Sequence, residues 1–269
     1  MLLSFVVLLA AGASAGFLSG LLGIGGGLLV VAALSFALPT LGIPADEVIH
    51  VSVATAMAAN VLTLASAARA HMRRGTVAWP TWGWLAPGMV LGGFAGAHIA
   101  QWLSGAMLRG VIAAFCAVMA LKMARHSTRV PDPQRREQLP RSPWLLTAGL
   151  GIGALSAVVG IGGGSMTVPL LIGLDLKPVR AVSTSAVCGF AIALSSALSY
   201  ALTVRGPAQA LPWGSVGYLY LPAAAIAAAG SMSLAPVGTR IAHRISGATL
   251  TRVFALFLLV VGVLIAAGK

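Results

Sequence analysis

The chain has 269 residues, of which 58% are hydrophobic and only 8% are charged. Such a composition cannot cover the surface of a water-soluble domain of this size with polar groups, so it excludes an ordinary soluble protein. The formal net charge is +12, but the basic residues cluster in short loops between long apolar runs. That pattern is typical of a membrane protein facing anionic lipid and argues against a nucleic-acid partner.

The first half of the chain contains four predicted membrane segments, and the first of them is interrupted. Residues 21–30 read LLGIGGGLLV, and each glycine costs a helix roughly 1 kcal/mol relative to alanine. We therefore predict a helical piece on either side of the glycines, followed by segments that are each near the roughly 20 residues a spanning helix needs. The predicted pieces and segments are 2–22, 28–38, 48–68, 82–101 and 107–123.

The second half repeats this pattern after a basic, proline-containing stretch. Residues 158–168 read VVGIGGGSMTV and again interrupt an apolar run. Residues 125–141 are predicted to be a cytoplasmic linker because of their positive charge. The predicted pieces and segments of the second half are 144–159, 165–174, 178–202, 213–234 and 248–267.

Matching stretches that occur in the same order indicate that the two halves are homologous. GFLSGLLGIGGGLLVVAAL matches GALSAVVGIGGGSMTVPLL, and GAHIAQWLSGAMLRGVIAAF matches GTRIAHRISGATLTRVFALF. Between these pairs, the segment that contains Thr55 resembles the segment that contains Thr184, with the two threonines in equivalent places. The sequence thus predicts an all-α, polytopic membrane protein built from an N-terminal repeat, 1–124, and a C-terminal repeat, 142–269.

The orientation of the repeats depends on the two interrupted segments. If each crosses the membrane once, the halves run parallel; if each enters and returns as a hairpin, the halves are inverted. With the loop at 69–76 and the linker placed in the cytoplasm, the inverted arrangement leaves 3 of the 17 lysines and arginines outside, whereas the parallel one leaves 6. The positive-inside rule therefore favours inverted repeats.

The glycine interruptions are candidates for a binding site. A helix that restarts at membrane depth presents unpaired N–H groups and its positive dipole end, which together attract anions. Irregular backbone is tolerated there only where it is buried in protein or lines a cavity, and transporters with repeats place their substrate between paired broken helices. The alternative is that the glycines permit close helix packing, as we expect of Gly92 and Gly96. The predicted backbone ligands are Gly23, Ile24, Gly25, Gly26, Gly27, Gly160, Ile161, Gly162, Gly163 and Gly164.

Hydroxyl groups on neighbouring segments could complete such a pocket. The candidates are Thr55, Thr184, Ser165 and Ser185, although helical serine and threonine also bond to their own backbone or join helices. The five acidic residues all lie in loops or at segment ends, so no carboxylate is predicted at membrane depth to bind a cation. Among the histidines, His98 is the one placed well inside a segment, where it could titrate. The sequence contains no spacing typical of a metal site, a cofactor or a catalytic residue set.

The repeated GIGGG motif, together with HVSVATAMAANVLTLASAARAHMRRGTVAW (50–79) and GGSMTVPLL (163–171), resembles the TauE/SafE sulfite exporter family. The resemblance covers nearly the whole chain. It implies a multi-pass permease of the bacterial inner membrane for sulfite, sulfonates or related small sulfur-containing anions. The family's GTS-like element is looser here, with ATA at 54–56 and STS at 183–185, so the first copy lacks the serine.

We therefore expect a secondary transporter, not an enzyme, that moves a small sulfur-containing oxyanion by alternating access. The alternative is a permease for another small anion, such as a carboxylate. The expected partners are the anion and the lipid bilayer, with no cofactor and no nucleic acid. Direction, coupling ion and oligomeric state stay open, a homodimer included.

Overall fold

The computed structural model describes residues 2–22, 26–125, 142–203, 213–242 and 247–267. Within these ranges the chain forms ten α-helices, one short 3₁₀ helix and a two-stranded antiparallel hairpin. In chain order they are α1 (Leu2–Leu22), α2 (Gly27–Ala37), the 3₁₀ helix (Leu38–Leu41), α3 (Ala45–Arg73), α4 (Trp79–Ala100), α5 (Gly105–Arg125), α6 (Trp144–Val159), α7 (Gly164–Gly173), α8 (Pro178–Leu202), β1 (Ser215–Val216), β2 (Leu219–Tyr220), α9 (Leu221–Ala242) and α10 (Gly247–Ala267).

Both predicted interruptions separate two helices. The first lies between α1 and α2 and the second between α6 and α7, and the helices begin and end within one residue of the predicted pieces. The predicted segment 178–202 is confirmed as α8. The apolar runs and the glycine triplets therefore determine most of the helix boundaries.

One predicted segment is wrong at its start. Residues 213–234 were expected to form one helix, but the chain makes the hairpin first and α9 begins only at Leu221. Gly214 and Gly217 have φ values of 89° and 59°, in the left-handed region that interrupts a right-handed helix. The amide of Tyr218 donates to the carbonyl oxygen of Tyr200 at 3.1 Å, which fixes the hairpin against the end of α8.

Several helices suit a lipid environment. Helices α3 and α8 and the 105–122 part of α5 are each long and apolar enough to cross a membrane. The outward face of α10 is apolar as well, since Leu256 and Val263 are 64% and 65% exposed. Apolar side chains spread over the outside of a helical bundle are stable in lipid but unfavourable in water.

Two helix pairs lie in very close parallel contact. A Cβ atom on Gly92 of α4 would overlap the carbonyl oxygen of Leu150 on α6, and one on Gly12 of α1 would overlap that of Ala227 on α9. Small residues permit this approach of two helix backbones in a membrane. The packing expected of Gly92 is thus present in the structure.

Helices α3 and α8 run antiparallel through the centre. Leu64 of α3 contacts Gly189 of α8, and the more C-terminal His71 faces the more N-terminal Ser183, with Nδ1 and Oγ 2.9 Å apart. The chain also turns back after α1. This is seen from the closeness of Gly26 to α1, since a Cβ on Gly26 would overlap Ala15. The second interruption lies beside the middle of α8, because the carbonyl oxygen of Gly162 contacts Gly189.

Candidate functional site at the paired helix interruptions

The second interruption is a buried turn that only glycine can form without strain. Gly160 and Gly163 have φ values of 82° and 74°, a region that L residues rarely adopt. The carbonyl oxygen of Ser156 accepts the amides of Gly160 and Ile161, both at 3.0 Å, and so closes α6. Gly163 then caps the start of α7, where its carbonyl oxygen accepts the amide of Thr167 at 2.9 Å. Residues 160–165 are all buried.

The two interruptions meet. A Cβ on Gly27, the first residue of α2, would overlap the carbonyl oxygen of Gly160 at the end of α6. Asn60 of α3 lies in the same place and donates from Nδ2 to that oxygen at 3.5 Å. The start of α2 and the end of α6 therefore share one junction beside the middle of α3. Gly23, Ile24 and Gly25 lie outside the described residues.

The interruption between α6 and α7 also contacts the central helix α8. A Cβ on Gly189 would overlap the carbonyl oxygen of Gly162, so the backbones of α8 and the turn touch directly. Gly162 itself faces Leu64 of α3, whose Cδ1 atom would lie 2.5 Å from an added Cβ. Helices from both halves thus surround the turn, and Gly164 starts α7 immediately beside it.

Three buried hydroxyl groups around this turn lack a hydrogen-bond partner among the described residues. They belong to Ser156, Ser165 and Ser185, with 0%, 1% and 2% exposure respectively. Ser165 lies in the first turn of α7, and Ser185 lies one helical turn before Gly189 on α8. A buried hydroxyl without a partner costs about 1–3 kcal/mol, so these groups are available to a ligand that accepts hydrogen bonds.

The two predicted threonines occupy matching places but have a structural partner. Thr55 Oγ1 accepts the backbone N–H of Tyr220, just before α9, at 3.0 Å, and Thr184 Oγ1 accepts that of Ala78, just before α4, at 2.9 Å. Each hydroxyl therefore secures the start of a helix. Its oxygen is engaged, while its hydrogen can still be donated.

Two residues of the junction are not among the predicted ligands. Asn60 stands among several polar residues of its segment, and only the structure brings it to Gly160. Ser156 has a clearer signal, because a serine precedes the first glycine of both motifs by four positions, as Ser19 and Ser156. In α6 that spacing lets the Ser156 carbonyl group accept the turn's amides.

The chemistry of the junction is that of a hydrogen-bond donor. Within the described ranges, the carboxylates Asp46, Glu47 and Asp175 lie at or next to helix ends and not at the junction. The same residues hold no group of three His, Cys, Asp or Glu side chains that could bind a metal ion. Serine hydroxyls and the start of a helix favour a negatively charged ligand.

Comparison with known proteins identifies relatives along almost the whole chain. The family model "Sulfite exporter TauE/SafE" matches residues 8–265. A probable membrane transporter protein of Haemophilus influenzae is 32% identical over 261 residues, covering 97% of each chain. One of Methanocaldococcus jannaschii is 28% identical over 250 residues, covering 91% of this chain and 89% of the relative. No solved structure matches the chain. The chain therefore belongs to the sulfite exporter TauE/SafE family and is a membrane transporter, not an enzyme.

Proposed function

We propose that the protein is a secondary transporter that moves a small sulfur-containing oxyanion, sulfite or an organosulfonate, across the bacterial inner membrane. One observation carries the proposal: Gly27 and Gly160, from the two glycine interruptions, lie in contact beside Asn60. Paired helix breaks at one place are the arrangement in which repeat transporters bind their substrates.

The polar groups at the junction fit an oxyanion. The oxygens of the sulfite dianion and of a sulfonate only accept hydrogen bonds, and the hydroxyl groups of Ser165 and Ser185 are buried without a partner in the described part of the chain. The amides at the start of α7 add donors and a positive dipole end beside Ser165. Together they would replace part of the water that the anion loses on binding.

The helix packing supports inverted repeats and alternating access. α3 and α8, the equivalent central helices of the two proposed repeats, run antiparallel. Each interrupted helix packs on a helix of the other half, α1 on α9 and α6 on α4. A rocking motion of these exchanged pairs about α3 and α8 would expose the junction first to one side of the membrane and then to the other.

Substrate choice can be tested with purified protein in proteoliposomes. We expect protein-dependent flux of radiolabelled sulfite that excess unlabelled organosulfonate suppresses and a carboxylate of similar size does not. Protein-free liposomes subtract the passive permeation of sulfite. Inhibition by the carboxylate alone, or no flux above the protein-free control, would contradict the sulfur-anion assignment.

The topology makes a separate prediction. A cysteine placed at Ala242, the end of α9, should react with a membrane-impermeant maleimide only from the cytoplasmic side, because inverted repeats place it with the basic linker. A cysteine at the exposed Ala106, at the start of α5, is the matched control and should react only from the periplasmic side. The native Cys116 and Cys188 are buried. Labelling of both positions from the same side would exclude the inverted arrangement.

A further inference from the structure

A second polar cleft lies at the end of the protein where α3 begins. It has a volume of about 420 Å³ and is bounded by the start of α3, the turn between α4 and α5, the start of α5 and the hairpin. The glycine interruptions are not among its lining residues, so the cleft is separate from the junction described above. The charged or titratable residues that line it are Asp46, Glu47, His50, Arg109 and Tyr218.

His50 has an unusual pair of partners in this cleft. Its side chain is only 6% exposed. Nδ1 lies 3.2 Å from the carbonyl oxygen of Asp46, and Nε2 lies 3.0 Å from that of Leu103. A neutral imidazole has one N–H and can donate to only one of these oxygens, which leaves the other nitrogen lone pair facing an oxygen lone pair. The protonated ring donates to both.

We propose that His50 is a proton-binding site, and that the protonated ring ties α3 to the turn between α4 and α5. The Asp46 carbonyl group belongs to α3 itself, whereas the Leu103 carbonyl group belongs to the turn at residues 101–104. Loss of the proton removes one of the two hydrogen bonds, because the neutral ring satisfies only one oxygen. We place the remaining N–H of the neutral ring on Nδ1, where it donates to the Asp46 carbonyl group of the same helix, so loss of the proton releases the turn.

The remaining lining of the cleft accommodates a positive charge. Glu47 Oε2 is buried without a partner among the described residues, and so is Gln101 Oε1. The orientation of the Gln101 amide is set by Nε2, which donates to Thr203 Oγ1 at 2.6 Å and to the Ala97 carbonyl oxygen at 3.2 Å. The oxygen Oε1 is therefore an acceptor that no described group satisfies.

The charged or titratable groups that face His50, which a pH experiment must take into account, come from α3, α5 and the hairpin. Asp46 and Glu47 come from α3 itself, and Tyr218 of the hairpin has its ring centroid 5.9 Å from that of His50. Arg109 of α5 is the cation that lines the cleft, and its Nε donates to the Gly105 carbonyl oxygen at 3.3 Å. No lysine of the described residues lines the cleft.

The hairpin connects this proton site to the candidate anion site. Tyr218 lies against His50, and two residues later the amide of Tyr220 donates to Thr55 Oγ1. The three consecutive residues Tyr218, Leu219 and Tyr220 thus form a covalent route by which a change at the His50 ring would reach a threonine of the central helix. This consequence rests on the proposed transport function: proton binding at His50 would regulate the opening of this end of the transporter.

Hydrogen exchange of the detergent-purified full chain tests the proton site without any substrate. In the wild type, exchange of the amides of Gln101, Trp102 and Leu103, corrected for the intrinsic effect of pH, should rise about tenfold as the solution passes from pH about 5 to pH about 8, since a charge-assisted hydrogen bond is lost. His50→Gln should remove this rise, because glutamine does not titrate. His98→Gln, at a half-buried histidine of α4, is the matched control and should retain it.

Two results would overturn the assignment. One is a pH-dependent rise that survives His50→Gln; its disappearance in Glu47→Gln would then move the proton to the carboxylate. The other is exchange that does not depend on pH in the wild type. Because neither readout uses an anion, the proton site can stand or fall independently of sulfite transport.

A transport measurement then tests the regulatory role. If sulfite flux is found, its pH profile should flatten in His50→Gln and stay like the wild type in His98→Gln. An unchanged profile in His50→Gln would refute regulation of transport by this proton, even where hydrogen exchange supports its binding.

Discussion

Gly162→Leu is expected to reduce anion flux by roughly ten- to a hundredfold while leaving a folded, membrane-inserted protein, since each charge-assisted hydrogen bond denied to an anion is worth about 1.5–3 kcal/mol. Gly162 lies in the turn between α6 and α7, where its carbonyl oxygen contacts Gly189. A leucine side chain there would press against Leu64 of α3, beside the buried turn at which we propose that the anion binds.

Gly162 is the position at which such a side chain should disturb folding least. Gly160 and Gly163 have positive φ values, so any side chain at those two positions would strain the backbone. The nearest atom to a Cβ on Gly162 is Cδ1 of Leu64, the end of a flexible side chain that can move aside. Loss of flux can therefore be separated from loss of structure.

The matched control is Gly151→Leu, on the exposed face of α6, the helix that ends before the turn. A Cβ on Gly151 meets nothing within 4 Å, so this variant should transport like the wild type. Radiolabelled sulfite flux in proteoliposomes measures both variants, and size-exclusion chromatography in detergent checks that both are folded. Flux of Gly162→Leu equal to that of Gly151→Leu would remove the junction from the transport path.

The helix boundaries could be predicted because they depend on local properties of the chain. Apolar runs of membrane length and glycine triplets act on the residues that contain them, so α8 and the four pieces around the interruptions match their predicted limits. The hairpin at residues 215–220 could not be found in this way. It depends on Gly214 and Gly217 adopting left-handed conformations against the end of α8, which is a tertiary effect.

The candidate site shows the same division between local and tertiary information. Repetition of GIGGG predicts two equivalent turns, but the contact of Gly27 with Gly160 requires helices that are far apart in the chain to be packed together. Likewise, the match of Thr55 with Thr184 is visible in the sequence, whereas their backbone partners, Tyr220 and Ala78, are not.

Histidine placement is the clearest case in which linear position misleads. His98 is predicted to lie well inside a segment, yet in the structure it is half-buried, and Nε2 accepts the indole N–H of the exposed Trp102 at 3.4 Å. His50 is only the third residue of the predicted segment 48–68, yet it is 6% exposed because the turn at residues 101–104 folds over it. Depth along a helix does not determine burial when a neighbouring turn covers the helix end.

Gly92→Ala is expected to lower the melting temperature of the detergent-purified protein by about 5 °C, since overpacking a close contact costs about 1–3 kcal/mol. A Cβ on Gly92 would overlap the Leu150 carbonyl oxygen and lie 2.9 Å from the backbone nitrogen of Ala154. Both are backbone atoms of α6, so a single side-chain movement cannot relieve the overlap, and the two helices must separate.

Gly83→Ala on the same helix is the control, because a Cβ there meets nothing within 4 Å and alanine favours a helix over glycine by about 1 kcal/mol. Its melting temperature should equal or exceed that of the wild type.

The packing of α1 on α9 makes a parallel prediction. If this pair is the counterpart of α6 on α4, Gly12→Ala should destabilise the protein as Gly92→Ala does, because a Cβ on Gly12 would overlap the Ala227 carbonyl oxygen. A Gly92→Ala protein as stable as Gly83→Ala would show that α4 and α6 do not touch at their backbones. Destabilisation by Gly92→Ala but not by Gly12→Ala would leave the α4–α6 contact intact and contradict the equivalence of the two pairs, on which the rocking motion depends.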